Sequence, residues 1–113
     1  FCIATDSLAS GESFDIFEEI QRFVLMQRAL TGETGSFTAE EVVRAVISTP
    51  AKALGMDDIV GDLRVGSCAD FMLVEPELTG VSPERDVYGT LLWGTNAGDI
   101  VSVWSDGREV YRR

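Results

Sequence analysis

Phe1-Cys2-Ile3-Ala4-Thr5-Asp6-Ser7-Leu8-Ala9-Ser10 is a short apolar run that breaks abruptly into small polar residues. A start without any charge suits a strand covered on both faces. Thr5-Asp6-Ser7 then places one carboxylate where that strand meets solvent, and in barrels and open α/β sheets chemistry gathers at that end of a strand. The same residues admit a purely local reading, because Asp, Ser and Thr are also common helix caps and turn formers. Asp6 is thus either a reactive carboxylate at a strand end or a cap of the following helix or turn. Because the polypeptide opens on Phe1 inside this run, a fragment of something longer is expected.

Beyond a loop from Ser7 to Ser13, apolar residues at Ile16, Phe17, Ile20, Phe23, Val24 and Leu30 recur at helical spacing, with charged and amide residues between them. This predicts an amphipathic helix over Phe14 to Leu30, capped by Ser10 or Ser13 and ending near Thr31-Gly32. Gly32 to Ser36 is a polar linker. Thr38-Ala39-Glu40-Glu41 has the pattern of a capping box, with Phe37 and Val42 placed to form a hydrophobic staple. The helix that follows should break at Thr49, which Pro50 disfavours as helix, and Pro50 to Leu54 should form a further short helix closed by Gly55.

The spacing then changes to short β-like runs punctuated by glycine: Asp62 to Val65, Phe71 to Glu75, Ile100 to Ser105 and Arg108 to Tyr111. An architectural boundary is expected near Gly55 to Gly61, dividing the chain into 1–55 and 56–113. Asp106-Gly107 should form a two-residue hairpin turn, with Val101, Val103 and Val110 sharing a buried side across it. Pro83 to Trp93 is a candidate for one more short helix. No internal repeat or glycine-rich phosphate loop is present, and the pair Asp57-Asp58 reads as a solvated turn rather than a metal site.

The 113 residues suit a single unit of ordinary domain size, and 45% hydrophobic content is enough to build a core. Only 9 Lys and Arg stand against 19 Asp and Glu, a net charge of −10 that argues against nucleic acid and anionic membrane surfaces as partners. No apolar run is long enough to span a bilayer, and there is no secretory leader pattern, so a cytoplasmic location is expected. Cys2 and Cys68 lie in apolar or small-residue contexts of the kind that bury a free thiol. The absence of histidine is the most restrictive feature, because imidazole is the commonest general base and transition-metal ligand.

Three segments together resemble the metal-dependent amidohydrolases, in particular their cytosine deaminase, chlorohydrolase and adenosine-derivative deaminase branch. Ala4-Thr5-Asp6-Ser7-Leu8-Ala9-Ser10 is similar to the last barrel strand of that family and the loop after it. Ser48-Thr49-Pro50-Ala51-Lys52-Ala53-Leu54-Gly55, Gly61-Asp62-Leu63-Arg64-Val65-Gly66 and Ala69-Asp70-Phe71-Met72-Leu73-Val74 resemble the passage from the barrel back to a small β-sandwich. Val101 to Val110 resembles the closing hairpin. The resemblance implies an α/β architecture: the C-terminal portion of a (β/α)8 barrel (last strand and following helices, 1–55) plus part of a small β-sandwich (56–113).

By the same resemblance Asp6 matches the aspartate at the end of the eighth strand, which binds the catalytic metal and shuttles a proton from its water. The His-x-His pair and further histidines of the family have no counterpart here. The implied function is part of a metal-dependent hydrolase of C–N bonds that deaminates a purine, pyrimidine or related ring. A divalent metal, zinc or iron, is implied for the complete enzyme and none for this chain alone, which should be inactive by itself. Ser67 stands where lysine is usual and Gly11 where asparagine is expected, so no substrate contact is carried over to that loop. Asp70 is matched to a structural aspartate at the entrance to a strand. The competing readings are a non-catalytic acidic α+β interaction module and one chain of a split enzyme. A small-molecule substrate in the complete enzyme, and a homo-oligomer or a complementing chain as partner, complete the expectation.

Overall fold

The computed structural model describes residues 1–11, 13–76 and 86–113. Its elements are α1 (Leu8–Gly11), α2 (Ile16–Thr31), α3 (Ala39–Arg44), α4 (Ser48–Ala53), β1 (Phe71–Val74), α5 (Val87–Trp93), a 3-10 turn (Ala97–Asp99), β2 (Ile100–Ser105) and β3 (Arg108–Arg112).

Helix α2 forms where the periodicity places it, but its cap is neither Ser10 nor Ser13. Asp15 holds extended backbone and its Oδ1 accepts the Phe17 N–H at 2.9 Å. A capping oxygen must sit on the residue immediately before the first turn; Ser13, two positions earlier, instead accepts the Asp15 N–H through Oγ at 3.0 Å. Gly32, at φ 72°, closes the helix by donating its N–H to the Arg28 carbonyl at 2.9 Å. The helix buries Phe17, Ile20 and Val24.

The capping box of α3 is present in both directions: Thr38 Oγ1 accepts the Glu41 N–H, and Glu41 Oε2 accepts the Thr38 N–H at 2.8 Å. Val42 and Val43 are buried, and Phe37 packs against the same core, as a staple requires. The break between helices comes earlier than the proline predicts. Helix α3 stops at Arg44, residues 45–47 turn, and α4 already includes Ser48 and Thr49. Pro50 is the third residue of that new first turn, where a missing N–H costs nothing because no carbonyl precedes it in the helix. Gly55 has the positive φ, 66°, expected after the helix end.

Of the four strands expected after Gly61, three form. Asp62 to Val65 is an exposed bend instead, with Leu63 and Val65 in solvent. Gly61 and Gly66, at φ 98° and 99°, bound it on both sides, and a run this short makes a strand only when a neighbour supplies the ladder. The three strands form an antiparallel sheet in the order β1-β2-β3. Asp106 and Gly107, at φ 48° and 73°, make the two-residue turn with both central residues at positive φ. The turn is also tied to the approach to β1: Asp70 Oδ1 accepts the Asp106 N–H at 2.7 Å, and the Ala69 carbonyl accepts the Gly107 N–H at 3.1 Å. Phe71 stacks on its register partner Trp104 with ring centroids 5.6 Å apart.

The expected buried side of the hairpin is corrected by a register shift. Val103 pairs with Tyr111 and Trp104 with Glu109, so Val110 is the extra residue of a bulge and lies exposed. Ser102, on the opposite parity from Val101 and Val103, is the buried residue of β2. Helix α5 is capped by Asp86, whose Oδ1 accepts the Gly89 N–H at 2.7 Å; the expected start at Pro83 lies outside the described residues.

One core joins these pieces. Phe17, Ile20, Val24, Val42, Val43 and Leu92 are its buried members, with Val74 and Ile100 packed against it from the sheet. Each such side chain contributes about 1.5–3 kcal/mol on leaving water. No helix among the described residues is long and apolar enough to cross a membrane.

Candidate functional site

Residues 1–7 form neither strand nor helix, which corrects the strand expected at Phe1 to Ala4. Cys2, Ala4 and Asp6 point to solvent while Ile3 and Thr5 are half-buried, an alternation of period two that an extended segment retains. The Ile3 N–H donates to the Ala45 carbonyl at 3.0 Å, at the turn between α3 and α4. Among the described residues no strand lies beside the segment to supply a ladder, and a sheet strand is defined by its neighbours. Phe1 is anchored otherwise: its ring lies 5.2 Å from Phe23 and 5.3 Å from Phe37, although it remains 62% exposed.

The loop Ser7 to Ser13 contains one turn of helix, α1, that the sequence reading did not anticipate. Asp6 stands just before it with φ 54°, in the left-handed region that costs an ordinary L-residue about 1–2 kcal/mol and that Asp tolerates better than most. This conformation folds the carboxylate back over the turn, where Asp6 Oδ2 accepts the Ser10 Oγ–H at 3.0 Å. Ser10 is itself fixed by its N–H, which donates to the Ser7 carbonyl at 2.9 Å, and its Oγ lies 3.4 Å from Ser7 Oγ. Gly11 packs close to α2 and to the segment: a Cβ there would meet Glu19 Oε1 at 3.3 Å and the Thr5 carbonyl oxygen at 4.0 Å. Among the described residues the Asp6 carboxylate accepts no backbone N–H, and the cap of the long helix is Asp15. Ser10 is the neighbour of Asp6 that sequence reasoning missed as such. Its signal was the i, i+4 spacing of an acid and a hydroxyl, which matters only once a helical turn lies between them.

Other acids serve the fold. Asp70 holds the hairpin turn, in keeping with a structural role at the entrance to β1. Asp57 and Asp58 lie exposed in a turn. The Glu41 carboxyl is held below its ordinary value by the Thr38 backbone N–H and hydroxyl, and Arg44 is held above its own by the hydrogen bond to Glu40. Cys2 is exposed and Cys68 half-buried, both as free thiols, so neither is the buried thiol expected. A hollow of about 270 Å³ is lined by Phe1, Ser36, Phe37, Glu41, Arg44, Ala45 and Thr49, and another of about 590 Å³ lies between Glu75, Pro76 and Arg113; Asp6 lines neither.

Among the described residues no three His, Cys, Asp or Glu side chains gather as a metal site. A catalytic zinc takes three protein ligands, and Asp6 supplies one exposed carboxylate in a chain without imidazole. The residues present therefore do not by themselves fit a complete catalytic metal.

The chain is 30% identical over 110 residues to 5-methylthioadenosine/S-adenosylhomocysteine deaminase 1 of Syntrophus aciditrophicus, a match covering 97% of this chain and 25% of that relative. It is 31% identical over 105 residues to the 5-methylthioadenosine/S-adenosylhomocysteine deaminase of Shouchella clausii, covering 93% of this chain and 24% of that one. The chain thus spans about a quarter of the length of the curated relatives it matches. Among solved structures it superposes on an adenosine deaminase of Xanthomonas campestris with bound zinc, with a TM-score of 0.85 and 27% identity over 96% of this chain and 25% of that one. It also superposes on the guanine deaminase of E. coli, with a TM-score of 0.76 and 26% identity over 95% of this chain and 26% of that one. Residues 1–110 match the amidohydrolase family as a whole, and the chain belongs to that family.

Proposed function

We propose that this chain is the C-terminal part of a metal-dependent deaminase that hydrolyses the exocyclic C–N bond of a purine base or nucleoside. In this reading 1–55 is the end of a (β/α)8 barrel and 56–113 a portion of a β-sandwich, and histidines outside these residues complete the metal site. The observation that carries the reading is the placement of Asp6: an exposed carboxylate at the end of an extended segment, held in a left-handed conformation, with one oxygen engaged by Ser10. Its other oxygen accepts no hydrogen bond among the described residues. The purine preference rests on the relatives, which are named for deamination of adenosine derivatives and guanine.

Hydrolytic deamination needs a water made nucleophilic and a proton delivered to the departing amine. The divalent metal of such enzymes, when bound, supplies the activation of that water. This chain's contribution is the Asp6 carboxylate, which holds a proton between the attacking and the leaving group. With one oxygen on Ser10 and the other without a hydrogen bond among the described residues, the carboxylate keeps an oxygen open to a water or an amine.

The test is ammonia release from adenosine, 5-methylthioadenosine, S-adenosylhomocysteine and guanine by the full-length protein and its Asp6→Asn variant. Turnover should fall by roughly two to four decades, the range for loss of a general base. Near-normal turnover by the variant, or release of ammonia from none of these purines by the unsubstituted protein, would overturn the reading.

A further inference from the structure

From the short loop that follows the extended segment, we infer that Ser10 is a positioning residue for the Asp6 carboxylate. The inference rests on the proposed role of Asp6 and goes beyond it, because nothing in that role requires a hydroxyl four residues downstream. Three observations meet on this pair. Asp6 adopts φ 54° just before the helical turn Leu8–Gly11. Ser10 Oγ stands 3.0 Å from Asp6 Oδ2 as donor. The Ser10 backbone is pinned by its N–H to the Ser7 carbonyl at 2.9 Å, so the hydroxyl is presented by a closed turn rather than by a free loop.

A carboxylate on a single Cβ has two soft torsions, and in solvent it samples several staggered rotamers. A charge-assisted hydrogen bond to one oxygen selects among them and leaves the second oxygen without a hydrogen bond among the described residues. Outer partners of this kind orient ligating and reacting carboxylates in metal sites generally, and their loss weakens metal affinity or activity without removing a ligand. Ser10 therefore acts through Asp6 and need not touch the substrate. The loop has little else to hold the carboxylate: among the described residues no backbone N–H and no cation pairs with Asp6.

The test uses the full-length protein with Ser10→Ala, Ser10→Thr, Asp6→Asn and the Asp6→Asn/Ser10→Ala double variant. Two readouts are taken: kcat and KM for ammonia release, and zinc retention in competition with a chelator. Ser10→Ala should lower kcat by roughly ten- to a hundredfold, the worth of one hydrogen bond to a charged group, with KM little changed. Zinc should be lost more readily by a similar factor, roughly ten- to a hundredfold. Ser10→Thr, which keeps a hydroxyl at the same atom, should restore both. In the Asp6→Asn background, Ser10→Ala should have almost no further effect, because residues that act as a unit are not additive. A further loss there as large as in the parent would show that Ser10 supports the loop or the substrate independently, and would overturn the inference while leaving the role of Asp6 intact. Unchanged kcat and zinc retention in Ser10→Ala, with Asp6→Asn strongly impaired, would overturn it as well. Near-normal turnover by Asp6→Asn would instead remove the reading on which the inference rests.

Discussion

Two aspartates in this chain hold a positive φ, and they sit in regions built on opposite terms. Asp106, at 48°, lies in the hairpin between β2 and β3, where the turn type demands that backbone, where Gly107 shares it, and where Asp70 and Ala69 satisfy the two amides of the turn. Asp6, at 54°, ends a segment that carries, among the described residues, one backbone hydrogen bond to the rest of the molecule before it, from Ile3 to Ala45. In the hairpin the strain is offset by the ladder on either side. At Asp6 no comparable ladder exists among the described residues, and the conformation is fixed by one hydroxyl. Backbone strain held by so few local contacts is the kind found where function rather than stability sets the geometry.

Relieving both strains alike should separate the two aspartates. In the full-length protein Asp6→Gly keeps the turn accessible but removes the carboxylate, and turnover should drop by roughly two to four decades. Asp106→Gly should leave turnover within about twofold, as expected of a surface substitution at a backbone that glycine also accepts. Equal losses in steady-state assays of the two variants would erase the distinction.

Stability should respond in the reverse sense. Gly107→Val forces a β-branched residue to φ 73°, and thermal or urea unfolding should show a loss of about 1–3 kcal/mol. Asp6→Gly should unfold within roughly 0.5–1 kcal/mol of the parent, because little packing depends on it. A smaller effect belongs to Asp70→Ala, which removes the 2.7 Å acceptor of the Asp106 N–H and should cost about 1 kcal/mol in the same measurement.

The smallest effect is a pH dependence remote from both regions. The folded-state Glu41 carboxyl is held below its ordinary 4.5, first by the Thr38 backbone N–H and then by the Thr38 hydroxyl. A depressed acid stabilises the fold fully above its unfolded value and loses that contribution as the pH falls through the lowered folded value. Melting curves should therefore show the parent losing a small increment of stability in the pH range just below 4.5. Thr38→Ala should flatten that part of the profile, and an unchanged profile in the variant would mean the box contributes nothing measurable.

What the sequence disclosed follows the same division. Elements specified by local chemistry were legible: the α2 periodicity, the Thr38 to Glu41 box, the Asp106-Gly107 turn and the glycine stop at Gly32. Elements that depend on a neighbour were not. Phe1 to Ala4 and Asp62 to Val65 carry the residues of strands but find no ladder among the described residues. Val110 has the alternation of a buried residue and is displaced by a bulge that no periodicity encodes. The placement of the helix break before Ser48 depended on the tolerance of a first turn for Pro50, a choice that the proline rule alone leaves open. Asp6 was legible as a carboxylate at the end of an apolar run; its conformation and its partner Ser10 were not, because both arise from a single helical turn too short to show a pattern.

The hairpin is held by the β2–β3 ladder and by Asp70 and Ala69, whereas the segment before Asp6 has, among the described residues, one backbone hydrogen bond to the rest of the molecule. Amide hydrogen exchange on this chain, resolved residue by residue, reads that difference. Amides laddered between β2 and β3 should exchange slowly, as should Gly107, whose N–H is donated to Ala69. In residues 1–7 the Ile3 amide is the one that donates to another segment among the described residues, to Ala45, and it should be slowed while the rest exchange near the rates of an unstructured peptide. Protection throughout residues 1–7 equal to that of the hairpin would show instead that the segment is a stable element in its own right.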